Sequence, residues 1–403
     1  MSAVSLLADI AGVGRDPHRG GYSRHAFDAA EGELRAWFAE EAARRGLDVE
    51  TDRNGNLWAW WGTPGPGALV TGSHLDSVPG GGAFDGPLGV VSALDAVKSL
   101  RDSGFRPACP LAVVVFLEEE GSRFGVSCLG SRLLTGDLDA DKARALRDPD
   151  GVTLAEVAAR AGFDPASFGR DDAALSRIGR FIELHVEQGR GLIDLDAPVA
   201  VGSTVIEHGR WRFSFTGQGN HAGATLIADR RDPMLPAASL VAAARRLAAG
   251  VAGARATIGR LVPRPGGTNV IASTVDVWLD ARVAGDGNTR PLVEEIAEAA
   301  KLAAAEEGCA VTVTEESYAG AVAFDAGLRD SLTGALRPVL GEVPLLPTGA
   351  GHDAAILGGH VPSGMVYVRN PTGISHAPEE FAEDADVARG AAALATVLKD
   401  LST

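Results

Sequence analysis

The sequence predicts an α/β protein: a mixed-sheet α/β/α domain interrupted by a smaller α+β, ferredoxin-like insertion. Three observations carry this. Continuous apolar runs at 68–70 and 111–117 end abruptly in polar residues, as strands buried on both faces of a sheet do. Leu88 to Leu100, after the first run, has the small and apolar content of a helix packed on that sheet. From about His208-Gly209 the chain alternates apolar and polar residues in the order strand, helix, strand, strand, helix, strand, which suits a sandwich of about a hundred residues. At 403 residues the chain exceeds one ordinary core. The expected division is 1–208 with 323–403 for the larger domain and 209–322 for the insertion.

In chain order, Ser23 to Arg45 shows a helical period through Phe27, Leu34, Phe38 and Ala42, closed by Gly46. Short alternating runs follow at 47–50 and 57–61, then the strand Ala68-Leu69-Val70 that leads to His74. Leu111 to Leu117 reads as a central strand ending in Glu118-Glu119-Glu120-Gly121. Three adjacent carboxylates at the mouth of a buried strand repel one another and call for a compensating cation. Residues 136–178 form a polar, mostly helical excursion without evident chemistry. Arg180 to Val186 is a strand ending in His185, Glu187 and Gln188. Within the insertion, 211–216, 256–261, 274–283 and 310–314 read as strands and 232–247 and 291–307 as helices. The larger domain resumes near Phe324 with a helix to Leu340, a strand at 365–368 and a closing helix at 385–401.

Composition excludes several classes. The formal charge of −16 repels nucleic acid and anionic membranes, so an anionic substrate needs local cations to hold it. The first residues, Met1-Ser2-Ala3-Val4-Ser5, lack a basic region, and no apolar stretch approaches the ~20 residues a bilayer requires. Cys109, Cys128 and Cys309 are widely spaced and odd in number, which fits a reducing, cytoplasmic setting and buried thiols better than disulfides. The glycines at 80–82 do not form a phosphate cradle, because no lysine follows in the required position. His18, His25, His208 and His360 have no partner spacing.

The chemistry gathers where strands end, which is where α/β sheets build sites. His74 ends the first buried strand, and the glycines after it let the loop turn Asp85 back beside it. With Glu120, His185 and His376 this makes five nitrogen or oxygen donors and no thiolate, a set suited to two divalent ions, Zn or Mn. One aspartate can bridge two ions. Asp76, two residues from His74, is placed to accept that imidazole's other N–H.

The motifs Gly72-Ser73-His74-Leu75-Asp76-Ser77-Val78-Pro79, Glu119-Glu120-Gly121-Ser122-Arg123-Phe124, Glu183 to Gly189, Asn220-His221-Ala222-Gly223, Gly351-His352-Asp353-Ala354 and Gly373-Ile374-Ser375-His376 cover essentially the whole chain. With them the sequence resembles the hydantoinase/carbamoylase group of binuclear-zinc amidohydrolases, a branch of the aminoacylase and carboxypeptidase superfamily. That resemblance implies one ion on His74, Asp85 and His185, and a second on Asp85, Glu120 and His376. It implies Glu119 as the general acid/base and His221, Asn269, Arg282, Gln188 and His352 as substrate-binding residues. It also implies that the insertion serves as a lid and makes a homodimer. In place of the Thr-Thr-Pro-Met common in that group, this chain has Ala224-Thr225-Leu226-Ile227 after its Asn-His-Ala-Gly motif.

The expected activity is hydrolysis of a ureido or carbamoyl C–N bond in a small anionic substrate. Allantoate in purine nitrogen catabolism comes first, with release of ammonia and CO2. N-carbamoyl-L-amino acid hydrolase or β-ureidopropionase is the alternative, and an N-acyl amino acid hydrolase or exopeptidase stands third. A non-catalytic metal-binding relative is the reading from another class, against which stand the filled ligand positions and Glu119.

Overall fold

In the computed structural model, which describes residues 1–285 and 287–403, the chain forms two compact units, 1–204 with 323–403 and 205–322. The strands are β1 (Asp48–Thr51), β2 (Leu57–Trp61), β3 (Ala68–His74), β4 (Leu111–Phe116), β5 (Ile178–Val186), β6 (Val199–Val205), β7 (Glu207–Thr216), β8 (Asn220–His221), β9 (Arg255–Arg264), β10 (Val270–Ile271), β11 (Thr274–Val283), β12 (Ala310–Ala319), β13 (Val322–Ala323), β14 (Leu345–Thr348) and β15 (Ser363–Val368).

The larger unit is built on a mixed sheet in the order β1-β2-β4-β3-β5-β15-β6-β13, with β14 beside β6. Its central strands β4, β3, β5 and β15 are parallel, so their carboxyl ends, and the residues just beyond them, open on one edge. Every residue of β3, β4 and β15 is buried, which is why these segments are apolar without alternation. Leu88, Val91 and Leu94 of the helix Pro87–Asp102 and Leu394 and Val397 of the helix Asp384–Leu401 fill the core on one face. The expected mixed α/β architecture is the one found.

Local chemistry moves some element ends. The first long helix runs Ala29–Arg44, later than its apolar period suggests, because Phe27 is left-handed at φ +62° and Asp28 caps the Glu31 amide at 2.8 Å. The excursion at 136–178 buries Leu154, Val157 and Phe168 in a small core shared with Phe124, Leu129 and Leu133 just before it, a packing role that its polar composition concealed. Cys128 is buried as expected, whereas Cys109 and Cys309 are partly exposed; all three are free thiols.

The smaller unit has a four-stranded antiparallel sheet, β12-β7-β11-β9, with the helices Met234–Ala249 and Thr289–Glu306 on one face. Trp211, Phe213, Phe215, Val275, Val277 and Leu279 point to those helices at every second position, which is the source of the alternation in sequence. At one end of β11, Thr274 pairs with Thr216 of β7, and beyond that end β8 and β10 pair His221 with Val270. At the other end Arg282 pairs with His208. No helix among the described residues is long and apolar enough to cross a membrane.

Candidate active site

Five parts of the larger unit converge at the carboxyl edge of its sheet. His74 is the last residue of β3 and His185 the last but one of β5, while Glu119 and Glu120 follow β4. Asp85 lies just before the helix Pro87–Asp102, and His376 lies in the loop after β15. Two side-chain groups result, His74 with Asp85 and His185, and Asp85 with Glu120 and His376, each with ligand atoms within 4.8 Å of one another. Asp85 belongs to both.

The geometry at Asp85 is divided between its oxygens. Oδ1 lies 3.2 Å from His185 Nε2 and 3.5 Å from His74 Nε2; Oδ2 lies 3.4 Å from His376 Nε2. Glu120 Oε2 approaches the same His376 nitrogen at 3.4 Å. His185 Nδ1 bonds the Val186 carbonyl at 2.9 Å, and His74 Nδ1 faces the Asp76 carbonyl at 3.1 Å. A carbonyl only accepts, so both rings carry a proton on Nδ1 and turn Nε2 to the shared space. Those two Nε2 atoms are buried without a hydrogen-bond partner. Buried acceptors facing a carboxylate call for a positive charge between them, and the donor set suits a divalent ion.

Without that charge the acids and imidazoles perturb one another. Burial opposes ionisation of Asp85, yet His185, His376 and His74 pull its carboxyl well below the usual range. Burial works against His74 and His185 as cations, but Glu119, Asp76 and Asp85 raise the first and Asp85 the second. A hydrogen bond to Asp85 and the charge of Glu120 bring His376 up to about 9. Burial and Asp85 push Glu120 up to about 7.

Glu119 joins neither group. Burial, reinforced by Asp353, Glu120 and Asp76 against the pull of His74, holds its carboxyl well above the ordinary value. Its Oε2 is 3.7 Å from His74 Nε2, and its Oε1 accepts from the Cys128 thiol at 3.3 Å.

Asp76 does more than its spacing suggests. Its carboxylate oxygens accept the Glu119 and Glu120 amides at 3.1 and 3.0 Å, so it orients the acidic turn. His74 Nδ1 is 3.5 Å from that carboxylate and nearer the Asp76 carbonyl. Gly86 closes the space behind His74: it sits at φ +84°, and a Cβ there would meet the imidazole at 2.4 Å.

Gln188 Nε2 donates to Asp85 Oδ2 at 2.7 Å and lies 3.3 Å from His376 Nε2. His352 stacks at a tilt on His185 with ring centroids 4.6 Å apart, and burial with the nearby His185 holds it well below the usual imidazole value. Thus Gln188 and His352 stand with the ligand groups. In the smaller unit, Ala222, next to His221, donates its amide to the Asn269 carbonyl at 3.1 Å, so those two positions are neighbours. Arg282 is far along β11 from them and forms a two-pronged pair with Asp280 at 2.7 and 3.0 Å.

Three acids beside the site have roles that the sequence alone does not assign, although Glu183 and Asp353 lie within the motifs quoted above. Glu183 and Asp353 are fully buried beneath it: Glu183 accepts from Ser73 at 2.8 Å and the Ala354 amide at 3.0 Å, and Asp353 from Ser131 at 2.5 Å. Glu380 accepts the amides of Phe84 and Asp85. An acid that bonds backbone leaves no spacing pattern, so only the fold reveals it.

Residues 70–400 match Peptidase family M20/M25/M40, and the chain belongs to that family. It is 34% identical over 391 residues to the N-carbamoyl-L-amino acid amidohydrolase of Geobacillus stearothermophilus, covering 96% of this chain and 95% of the relative. It is 28% identical to the allantoate amidohydrolase of Bacillus subtilis, covering 90% and 88%. A solved structure of an amidase of the hydantoinase/carbamoylase family from Burkholderia vietnamiensis superposes with a TM-score of 0.88 at 29% identity over 99% of this chain and 96% of that one. The protein is therefore a metal-dependent hydrolase of C–N bonds, of the carbamoyl-amino-acid and allantoate amidohydrolase type.

Proposed function

We propose that the protein hydrolyses the ureido C–N bond of a small carboxylate-bearing ureide, allantoate foremost, with two divalent ions, Zn or Mn, held by His74, Asp85 and His185 and by Asp85, Glu120 and His376. The observation that carries this reading is the division of Asp85, with one oxygen toward each group. Bound there, the ions lower the pKa of a water from ~15.7 toward ~7 and polarise the ureido carbonyl.

The protein's own groups do the rest. Glu119, raised in pKa and outside both ion groups, takes a proton from the attacking water and gives it to the departing nitrogen. Water oxygen joins the ureido carbon, the bond from that carbon to the substrate nitrogen breaks, and the carbamate released decomposes to CO2 and ammonia. His221 meets the oxyanion that develops during attack, a contribution worth roughly 3 kcal/mol for one donor. Arg282 receives the substrate carboxylate through its planar fork, and Asn269, Gln188 and His352 line the remainder. These side chains favour a substrate that is polar throughout, which supports allantoate with its two ureido arms.

Arg282 lies at one end of β11 in the four-stranded sheet, and His221 lies on β8 in the separate two-stranded sheet beyond the other end. From Thr274 to Arg282 alone the strand rises roughly 25 Å, beyond the reach of a small ureide. This supports a homodimer in which the smaller unit of one copy lends His221 to the site of the other.

A second reading, hydrolysis of N-carbamoyl-L-amino acids, is favoured by the 34% identity to the Geobacillus enzyme. Assay of ion-loaded protein against allantoate, ureidoglycolate, several N-carbamoyl-L-amino acids and a dipeptide decides between them. A kcat/KM for allantoate well below that for the carbamoyl amino acids rejects the first reading.

A further inference from the structure

We infer that Glu380 is the positioning residue that sets the shared ligand Asp85 and ties it to the loop carrying His376; this rests on the two-ion reading above. Glu380 is buried at 4% exposure, supplies no ligand atom to either ion group, and bridges two loops almost three hundred positions apart in sequence. Its Oε1 accepts the amides of Phe84 at 3.0 Å and Asp85 at 2.9 Å. Its Oε2 faces the Ser375 hydroxyl at 2.9 Å, and that hydroxyl is also within 3.1 Å of Asp85 Oδ2. One carboxylate thereby fixes the backbone on which Asp85 stands and the residue immediately before His376.

Two features show that this place is made for an acid. Gly82 leaves room for the Glu380 side chain, because a Cβ there would meet Glu380 Oε1 at 2.3 Å and its Cβ at 2.5 Å. His376 adopts φ +57°, a left-handed conformation uncommon for residues other than glycine, in a turn closed by Asn370, which bonds the Ile374 carbonyl at 2.7 Å. A strained ligand needs a neighbour that over-determines it, and the contact from Glu380 to Ser375 supplies one. Outer partners of this type govern ligand orientation and hence ion affinity.

The test is calorimetric Zn²⁺ titration of ion-stripped wild-type protein, Glu380→Ala, Glu380→Gln and Ser375→Ala, with thermal melts of each. Wild type should take up two ions. Glu380→Ala should weaken the second by ~10–100-fold, the range for loss of an outer partner. Glu380→Gln should lose less, because its carboxamide oxygen still accepts both amides. Ser375→Ala keeps the two amide bonds from the Asp85 loop to Glu380, removes the hydroxyl that faces both Glu380 and Asp85 Oδ2, and should weaken the second ion while melting like wild type. Wild type that binds fewer than two ions overturns the two-ion reading and this proposal with it. Two-ion binding of unchanged affinity in Glu380→Ala, or in Ser375→Ala should the former fail to fold, overturns the role of Glu380 alone.

Discussion

His185 Nε2 lies 3.2 Å from Asp85 Oδ1 without making a hydrogen bond, while its Nδ1 is committed to the Val186 carbonyl. Such a gap between a ring nitrogen and a carboxylate, closed to solvent, holds a positive charge of some kind. The Asp85 carboxylate raises the His185 pKa against the opposing effect of burial, so this space favours a positive charge. On the two-ion reading proposed above, a divalent ion would occupy the same space.

Ion affinity should therefore rise with pH. Protons compete for His74, His185 and His376, the last up to about 9, so each unit of pH below that value weakens binding. Binding in weakly buffered solution should release protons, measurable with a pH indicator. Affinity constant from pH 6 to pH 9 contradicts the ligand assignment.

Glu119→Gln should keep both ions and lose turnover by 10²-fold or more, since a carboxamide cannot carry a proton at neutral pH. Stopped activity with unchanged metal content, measured by elemental analysis, is the expected pair of results. Turnover within a few-fold of wild type removes Glu119 from the mechanism.

Gly86→Ala should displace the His74 ring, because the new methyl would sit 2.4 Å from it and the backbone is left-handed at φ +84°. Strain of this type costs on the order of 1–3 kcal/mol. The expected readout is a weaker ion group at His74 with little change at His376; a titration indistinguishable from wild type is the contrary result.

Arg282→Ala should raise KM for carboxylate-bearing ureides at least tenfold and leave the KM of an uncharged analogue nearly unchanged. Arg282 is paired with Asp280, so Arg282→Lys should not restore affinity: an ammonium lacks the fork that engages two oxygens. Equal effects on charged and uncharged substrates would place the carboxylate elsewhere.

Stability of the ion-free protein should fall from about pH 4 to pH 8. Burial, with Glu183 nearby, raises Asp353 from 3.8 to about 8, so the folded state holds a proton that the unfolded chain releases. Above the unfolded value the unfolded state binds fewer protons, and stability declines with pH until the folded group also ionises. The contribution is on the order of a few kcal/mol. Asp353→Asn should flatten this part of the profile in denaturant titrations; an unchanged slope assigns it to other groups.

The convergence of His74, Glu120 and His185 was legible because sites in α/β sheets stand at strand ends, and each of these residues lies at or just beyond an apolar run that marks such an end. The order of elements in the smaller unit was legible from alternation, since its sheet buries one face only. What the sequence concealed is polar and directed at backbone. The Asp76 carboxylate holds two amides of the acidic turn, and Glu380 holds two amides of the Asp85 loop. The short β14, four residues paired only with β6, also lacked a signal.

The order of the ligands along the chain has a consequence for biosynthesis. His74, Asp85 and His185 all precede residues 205–322, whereas His376 follows them. During synthesis the residues of the first group are made before the intervening unit and the second group is completed only after it, so on the two-ion reading proposed above the second cation would be taken up last. Maturation should thus pass through a singly loaded, inactive species, and a cell short of the metal should accumulate it.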